Sequence, residues 1–194
     1  MTQTVEYRSH AGPSARVEAR SSGEPRDRWL RRRVQQLSRN LGGYCEVVDE
    51  RAFNRSKGNG WPAVTGRYNH RDLLATSKDG TLELRVDRTG LHYELEPPRS
   101  AIGDHVYELV SRGDVSESSF AIVAIEDDWS VTAQHYPLRR LLNVKLVDVS
   151  AVESAAYVDS SAGLRSLSER FGAPIGCLGD ETGEGAELLA AGEP

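Results

Sequence analysis

The stretch Gly113-Asp114-Val115-Ser116-Glu117-Ser118-Ser119-Phe120-Ala121-Ile122-Val123-Ala124-Ile125 decides how the chain is read. Its second half is apolar on both faces, as in a strand buried within a sheet. Its first half puts three serines at the entrance to that strand, a place where a hydroxyl is seldom found unless it is wanted. Upstream, Ile102, Val106, Leu109 and Val110 fall on one helical face. Ser100 suits the N-cap of that helix and Gly113 its C′ position. The stretch is therefore a joint between an amphipathic helix and a buried strand.

Working outward, Val144 to Val152 is a second, nearly apolar strand, and Trp129 to Ala133 and Leu138 to Leu142 read as two more, with Asp127-Asp128 turning the chain. On the other side, Tyr44 to Val48, Val64 to Tyr68, Leu73 to Ala75, Thr81 to Val86 and Leu91 to Leu95 read as short strands. Asp49 to Phe53 reads as a turn or short helix, and Ser56 to Gly60 as a loop. Lys78-Asp79-Gly80 and Asp87-Arg88-Thr89-Gly90 are hairpin turns. Many short, mostly antiparallel strands with two or three helices predict a compact barrel or sandwich of the α+β class.

The ends differ from this middle. Residues 1–40 hold nine Arg and four acids, net +5, while the remaining residues carry −10 of the chain's total of −5. Residues 1–25 lack periodicity and predict a mobile arm. Leu30, Val34, Leu37 and Leu41 recur at helical spacing beside Arg28, Arg31, Arg32 and Arg33, which predicts a short basic amphipathic helix. It has neither a base-reading motif nor interleaved aromatics, so nucleic-acid binding is not expected. Residues 172–194 carry six Gly, two Pro and five acids against no Lys or Arg, which predicts a disordered tail. The expected division is a basic arm and helix over 1–40, a folded domain over 41–158 and an acidic Gly-rich tail over 159–194. No apolar run approaches a membrane span, and no apolar leader precedes Cys45 and Cys177, so a reducing cytoplasm is expected and a membrane partner is not.

Three residue types at strand ends could support nucleophilic chemistry. A serine nucleophile needs a histidine to take its proton, and the histidine needs an acceptor that fixes its tautomer. Ser116, Ser118 and Ser119 are candidate nucleophiles, and local pattern does not separate Ser118 from Ser119. Each could equally be a turn hydroxyl. His70 ends a strand and enters a polar loop, a position both supported and accessible. Asp148 lies among Leu146, Val147, Val149 and Val152, where a carboxylate must be paired. Its partner would be a histidine or one of Arg139, Arg140 and Lys145. Cys45, mid-strand, is the rival nucleophile, and Asp114 with Glu117 would be an acid–base pair, though no aromatic sugar platform accompanies them. No close His-x-His or Cys-x-x-Cys pair supports a metal, and no cofactor is expected.

Four blocks, in order, resemble the prohead proteases of tailed phages, serine peptidases that mature capsids. Leu41-Gly42-Gly43-Tyr44-Cys45-Glu46-Val47-Val48 with Ala52-Phe53 resembles the family's opening. Tyr68-Asn69-His70 resembles its Asn-His motif. Val106 through Phe120 resembles its helix-to-nucleophile segment, and Val144 through Ser150, with Ala156-Tyr157, its late acid-bearing strand. The paired strands Thr81 to Leu84 and Gly90 to Glu94 fall between. The resemblance implies Ser119 as nucleophile, since the family's serine precedes Phe, with His70 as base and Asp148 where the family usually has Glu. It implies a mainly antiparallel β-barrel with a few surrounding helices, similar to herpesvirus assemblin. It also implies cleavage of the scaffold segment of the major capsid protein, autocleavage, a homodimer of the assemblin kind, and action in the host cytoplasm inside the assembling prohead. Arg139 or Arg140 would assist the oxyanion, as arginine does in assemblin-like enzymes. Departures at Ala121-Ile122, Glu50-Arg51 and Ser154-Ala155, and the shorter Asp148, leave a catalytically inactive assembly module on the same fold as the alternative.

Overall fold

A computed structural model describes residues 4–10, 18–21, 28–35, 38–40, 44–49, 51–87, 90–132 and 136–153. The organising element is one long antiparallel hairpin, β10 (Glu117–Val131) on β11 (Pro137–Val152). The expected turn at Asp127-Asp128 is instead the interior of β10, and Leu138–Leu142 and Val144–Val152 are one strand. The chain stays extended there because Asp127 is opposite Leu141 and its carboxylate holds Arg139 Nε at 2.6 Å. A strand of this length must bend to enclose a core, and the register shifts at Ala121/Ile122 and on either side of Glu126 let it do so.

Around the hairpin lies a sheet ordered β1 (Glu6–His10), β10, β11, β5 (Cys45–Val48) and β4 (Ser38–Asn40). At its other end β11 also pairs with β6 (Thr65–Tyr68), which pairs with β7 (Asp72–Thr76). Both β5 and β6 run parallel to β11. The expected mainly antiparallel sheet is therefore corrected to a mixed one. Parallel neighbours need crossovers rather than tight turns, and α1 (Asn54–Gly58) lies in the crossover from β5 to β6, in the region read as loop. A second, antiparallel sheet runs β2 (Glu18–Ser21), β3 (Arg28–Gln35), β9 (Gly90–Leu95), β8 (Leu82–Asp87). Side chains of both sheets and of α2 (Ala101–Arg112) join in one core, with Leu30, Tyr93, Leu95, Val106, Phe120, Ile122 and Leu146 among its most buried members. As expected, Ser100 caps α2 by accepting from Gly103 N, and Gly113 ends it at φ 85°. The tail over 159–194 lies outside the described residues.

Two expectations for the first forty residues are overturned. Arg28–Gln35 is a strand, not a helix. The four-residue step from Leu30 to Val34 suits a helix, but four is also a multiple of two, so both residues share a strand face, opposite Leu95 and Leu91 of β9. Likewise Glu6–His10 is an edge strand rather than a mobile arm. What holds it is buried charge. Arg8 ion-pairs with Glu6 and Glu46, and Arg139 bonds Glu6 at 2.7 Å, Glu46 at 3.1 Å and Asp127. Arg139 also lies 5.9 Å from the Trp129 ring, whose other neighbour is Tyr44. Burial and then Glu46 push the Tyr44 phenol up. Removing one member of such a cluster strands the others, at about 3–5 kcal/mol.

Burial would raise the Glu6 carboxyl, but hydrogen bonds and charge from Arg139, then Arg8, hold it below its ordinary 4.5. A carboxyl depressed by folding stabilises the native state above its unfolded pKa, and that contribution is lost as pH falls through the folded value. Glu6→Gln should therefore cost most at neutral pH, with the gap from wild type closing below pH 4.5. Urea midpoints of both proteins across that range check this, and a pH-independent gap contradicts it.

Candidate active site

The β10–β11 register writes the site. Ala121 pairs with Asp148 and Ser119 with Ser150, while Ile122 pairs with Leu146, so Val147 has no partner across the hairpin. This bulge re-aims the strand: Leu146 enters the core, and Asp148, two residues on, turns to the opposite face. Cross-strand partners share a face. One row therefore reads Tyr7, Ala121, Asp148, Thr65 across β1, β10, β11 and β6, and the next row contains Ser119, Ser150 and Arg67.

His70 is delivered above these rows by the turn between β6 and β7. Arg71 N donates to Tyr68 O at 2.9 Å, and Asn69 and His70 both have left-handed φ, 49° and 59°. A tight hairpin of the primed type needs such angles, and they strain non-glycine residues by about 1–3 kcal/mol each. The surroundings hold the strain. Asn69 N donates to Ala151 O at 3.0 Å and His70 N to Ser150 Oγ at 2.9 Å. The Asn69 amide and Glu153 bond each other twice, at 3.1 and 3.2 Å, and Tyr68 Oη donates to the same carboxylate. Burial and then Glu153 push the Tyr68 phenol up to about 12, while hydrogen bonds from Tyr68 and Asn69 hold Glu153 below its ordinary value.

So placed, His70 Nδ1 lies 2.6 Å from Asp148 Oδ1. The carboxylate can accept only, so Nδ1 carries the proton in a neutral ring and Nε2 is left as the basic nitrogen. His70 Nε2 is buried without a hydrogen-bond partner among the described residues, and so is Ser119 Oγ. Ala121, the cross-strand partner of Asp148, lies two residues from Ser119 on that face.

The remaining candidates fall elsewhere. Ser118 points to the opposite face, where its Oγ lies 3.0 Å from Tyr93 Oη in the core. Arg139 is committed to the carboxylates of Glu6, Glu46 and Asp127 near the far end of the hairpin, and Arg140 is half exposed, 3.9 Å from Asp49. Neither reaches Ser119, and Arg139 is not the partner of Asp148. Cys45 lies on β5, paired with Leu138 near that same far end. Ser150, the Asn69–Glu153 clasp and Tyr7 were not singled out from sequence. Ser150 was legible as the residue two past Asp148 on a strand; Tyr7 carried no signal, because its strand is set by distant charges.

A family model described as "Caudovirus prohead serine protease" matches residues 31–171. No curated protein matches the chain. Among solved structures, it is similar to that of the bacteriophage T4 capsid assembly protease, gp21, at a TM-score of 0.51 and 9% identity over 76% of this chain and 96% of that one. At that identity the likeness concerns the fold alone.

The two neighbouring serines should respond oppositely to removal of the hydroxyl. Ser118→Ala removes a buried hydrogen bond to Tyr93 Oη and should cost about 0.5–1.5 kcal/mol. Ser119→Ala removes a hydroxyl that has no partner among the described residues and should leave stability equal or slightly higher. Denaturant midpoints of the two variants decide; equal losses would contradict the opposed faces.

Proposed function

The chain belongs to the caudovirus prohead serine proteases, and from that premise we propose that Ser119, His70 and Asp148 form the catalytic triad of a capsid maturation protease. The observation that carries the reading is the pair of orphaned atoms, His70 Nε2 and Ser119 Oγ, on the one face where Asp148 fixes the imidazole from behind. An unpaired buried hydroxyl costs stability and calls for an explanation, and a reacting group that supplies the missing interaction is one such explanation.

In this mechanism the Ser119 Oγ–carbon bond forms at a peptide carbonyl while the serine proton passes to His70 Nε2. The carbon–nitrogen bond then breaks, and the amine leaves with that proton. A water next gives a proton to Nε2 and attacks the acyl carbon; the new acid leaves, and Ser119 Oγ recovers the proton. Asp148 keeps Nδ1 protonated and stabilises the imidazolium. Backbone N–H groups near Ser119 stabilise the oxyanion, since Arg139 is committed elsewhere. The substrates are the scaffold segment of the major capsid protein and the protease itself, cut inside the assembling prohead in the host cell. The assemblin-like barrel and homodimer belong to the same reading.

Both orphaned atoms are shielded from solvent. That shielding favours one second reading, a non-catalytic assembly module on this fold. Co-expression with the capsid protein, followed by intact mass, separates the two. Wild type should trim the capsid protein and Ser119→Ala should not; trimming by Ser119→Ala would overturn the reading. His70→Ala should lose as much as Ser119→Ala, on the order of 10⁶-fold, and Asp148→Asn less, on the order of 10⁴-fold. Full activity in Asp148→Asn would move the third role to another group.

A further inference from the structure

The Nδ1 hydrogen bond does not by itself orient the His70 ring. The torsion that turns an imidazole about its Cβ–Cγ bond is broad, so one in-plane contact at Nδ1 leaves the ring free to rock about it. A second contact exists on the other side. The Tyr7 ring and the imidazole form a T-shaped pair, centroids 4.6 Å apart and planes at 65°. Tyr7 and Asp148 occupy the same cross-strand row on either side of Ala121. The imidazole is thus flanked by a carboxylate from β11 and an aromatic ring from β1.

Tyr7 is itself held firmly. Its sequence neighbours Glu6 and Arg8 point to the other face of the strand, into the buried ion cluster with Glu46 and Arg139. Their buried pairs pin the backbone on both sides of Tyr7, although Tyr7 is 40% exposed. β1 also lies wholly before residue 31, where the family match begins. A segment outside that match supplies a wall of the site.

We propose that Tyr7 is a positioning residue for His70: its ring confines the imidazole so that Nε2 stays directed at Ser119 while Nδ1 stays on Asp148. The inference rests on the triad reading given above and adds to it a requirement for the first strand. The ring, and not the hydroxyl, does the confining, because the contact is ring to ring. Small displacements matter here, since an error of about 1 Å at a proton-transfer partner costs about 100-fold in rate.

The test uses a fluorophosphonate probe on the full-length protein, with the maximal rate of Ser119 modification and the half-saturating probe concentration measured separately. Tyr7→Ala and Tyr7→Thr should lower the maximal rate about 10- to 100-fold, leave half-saturation within about 2-fold, and leave the thermal midpoint near that of wild type. Tyr7→Thr keeps a good strand former in β1, so it guards against simple loss of the strand. Tyr7→Phe should react at the wild-type rate. Wild-type rates in Tyr7→Ala and Tyr7→Thr would overturn the inference. So would a faster rate, which would make Tyr7 a cover, or a Tyr7→Phe as slow as Tyr7→Ala, or a loss that follows the thermal midpoint. Ser119→Ala is the control for the underlying reading. If wild type does not label selectively at Ser119, the triad reading fails and this inference with it; if wild type labels and the Tyr7 variants match it, only this inference fails.

Discussion

The bond of 2.6 Å between His70 Nδ1 and Asp148 Oδ1 is the interaction on which the molecule turns, and it exists only because of a one-residue slip in a hairpin. Without the unpaired Val147, Asp148 would follow Leu146 to the core face, and its charge would have no partner there. With it, Asp148 and Ser150 turn together to the other face. One takes the imidazole and the other takes the His70 backbone N–H. The nucleophile candidate is placed by the same register, since Ser119 is the partner of Ser150. Ser119 and Asp148 are thus fixed relative to each other by strand pairing, and the turn that carries His70 is tied to the same strand at Ala151 O and Ser150 Oγ.

The buried polar groups divide into two kinds. On the face of β1 away from Tyr7, Glu6 and Arg8 join Glu46, Asp127 and Arg139 in one ion cluster, and although burial alone would lower both guanidinium groups, their carboxylate partners hold them above their ordinary values. Desolvating the four charges of Glu6, Arg8, Glu46 and Arg139 is costly, and the return is placement: with the partly exposed Asp127 they tie β1, β5, β10 and β11 together. On the opposite face Ser119 Oγ and His70 Nε2 have no hydrogen-bond partner among the described residues, as is also true of Tyr44 Oη and Asn143 Oδ1, and the Asn69–His70 turn is strained. What distinguishes the first two is the face they share with Asp148, beneath that strained turn.

Much of this was legible in the sequence because the signals were local. The α2 helix showed its cap at Ser100 and its stop at Gly113, and the hairpin of β8 and β9 showed alternation and a turn. Ser119, His70 and Asp148 came from the ordered blocks of the resemblance, and the strand context of each was visible. What was not legible depended on partners far away. The strand Glu6–His10 has no apolar alternation, because Arg8 is buried against Glu46, 38 residues on. Arg28–Gln35 carries Leu30 and Val34 at a spacing common to helix and strand, and only pairing with β9 decides between them. The parallel partners of β11 are likewise a tertiary fact. Ser118 and Ser119 are separated by one residue of register, which no local pattern contains.

The most direct test is the separation of Ser119 Oγ and His70 Nε2 in a crystal structure of the protein with a non-covalent substrate analogue bound. The two atoms, unbonded in the free protein, should close to about 3 Å in that complex, with His70 Nδ1 still on Asp148. A separation that stays well beyond hydrogen-bond reach, with Nε2 held by some other group of the protein, would contradict a triad of Ser119, His70 and Asp148.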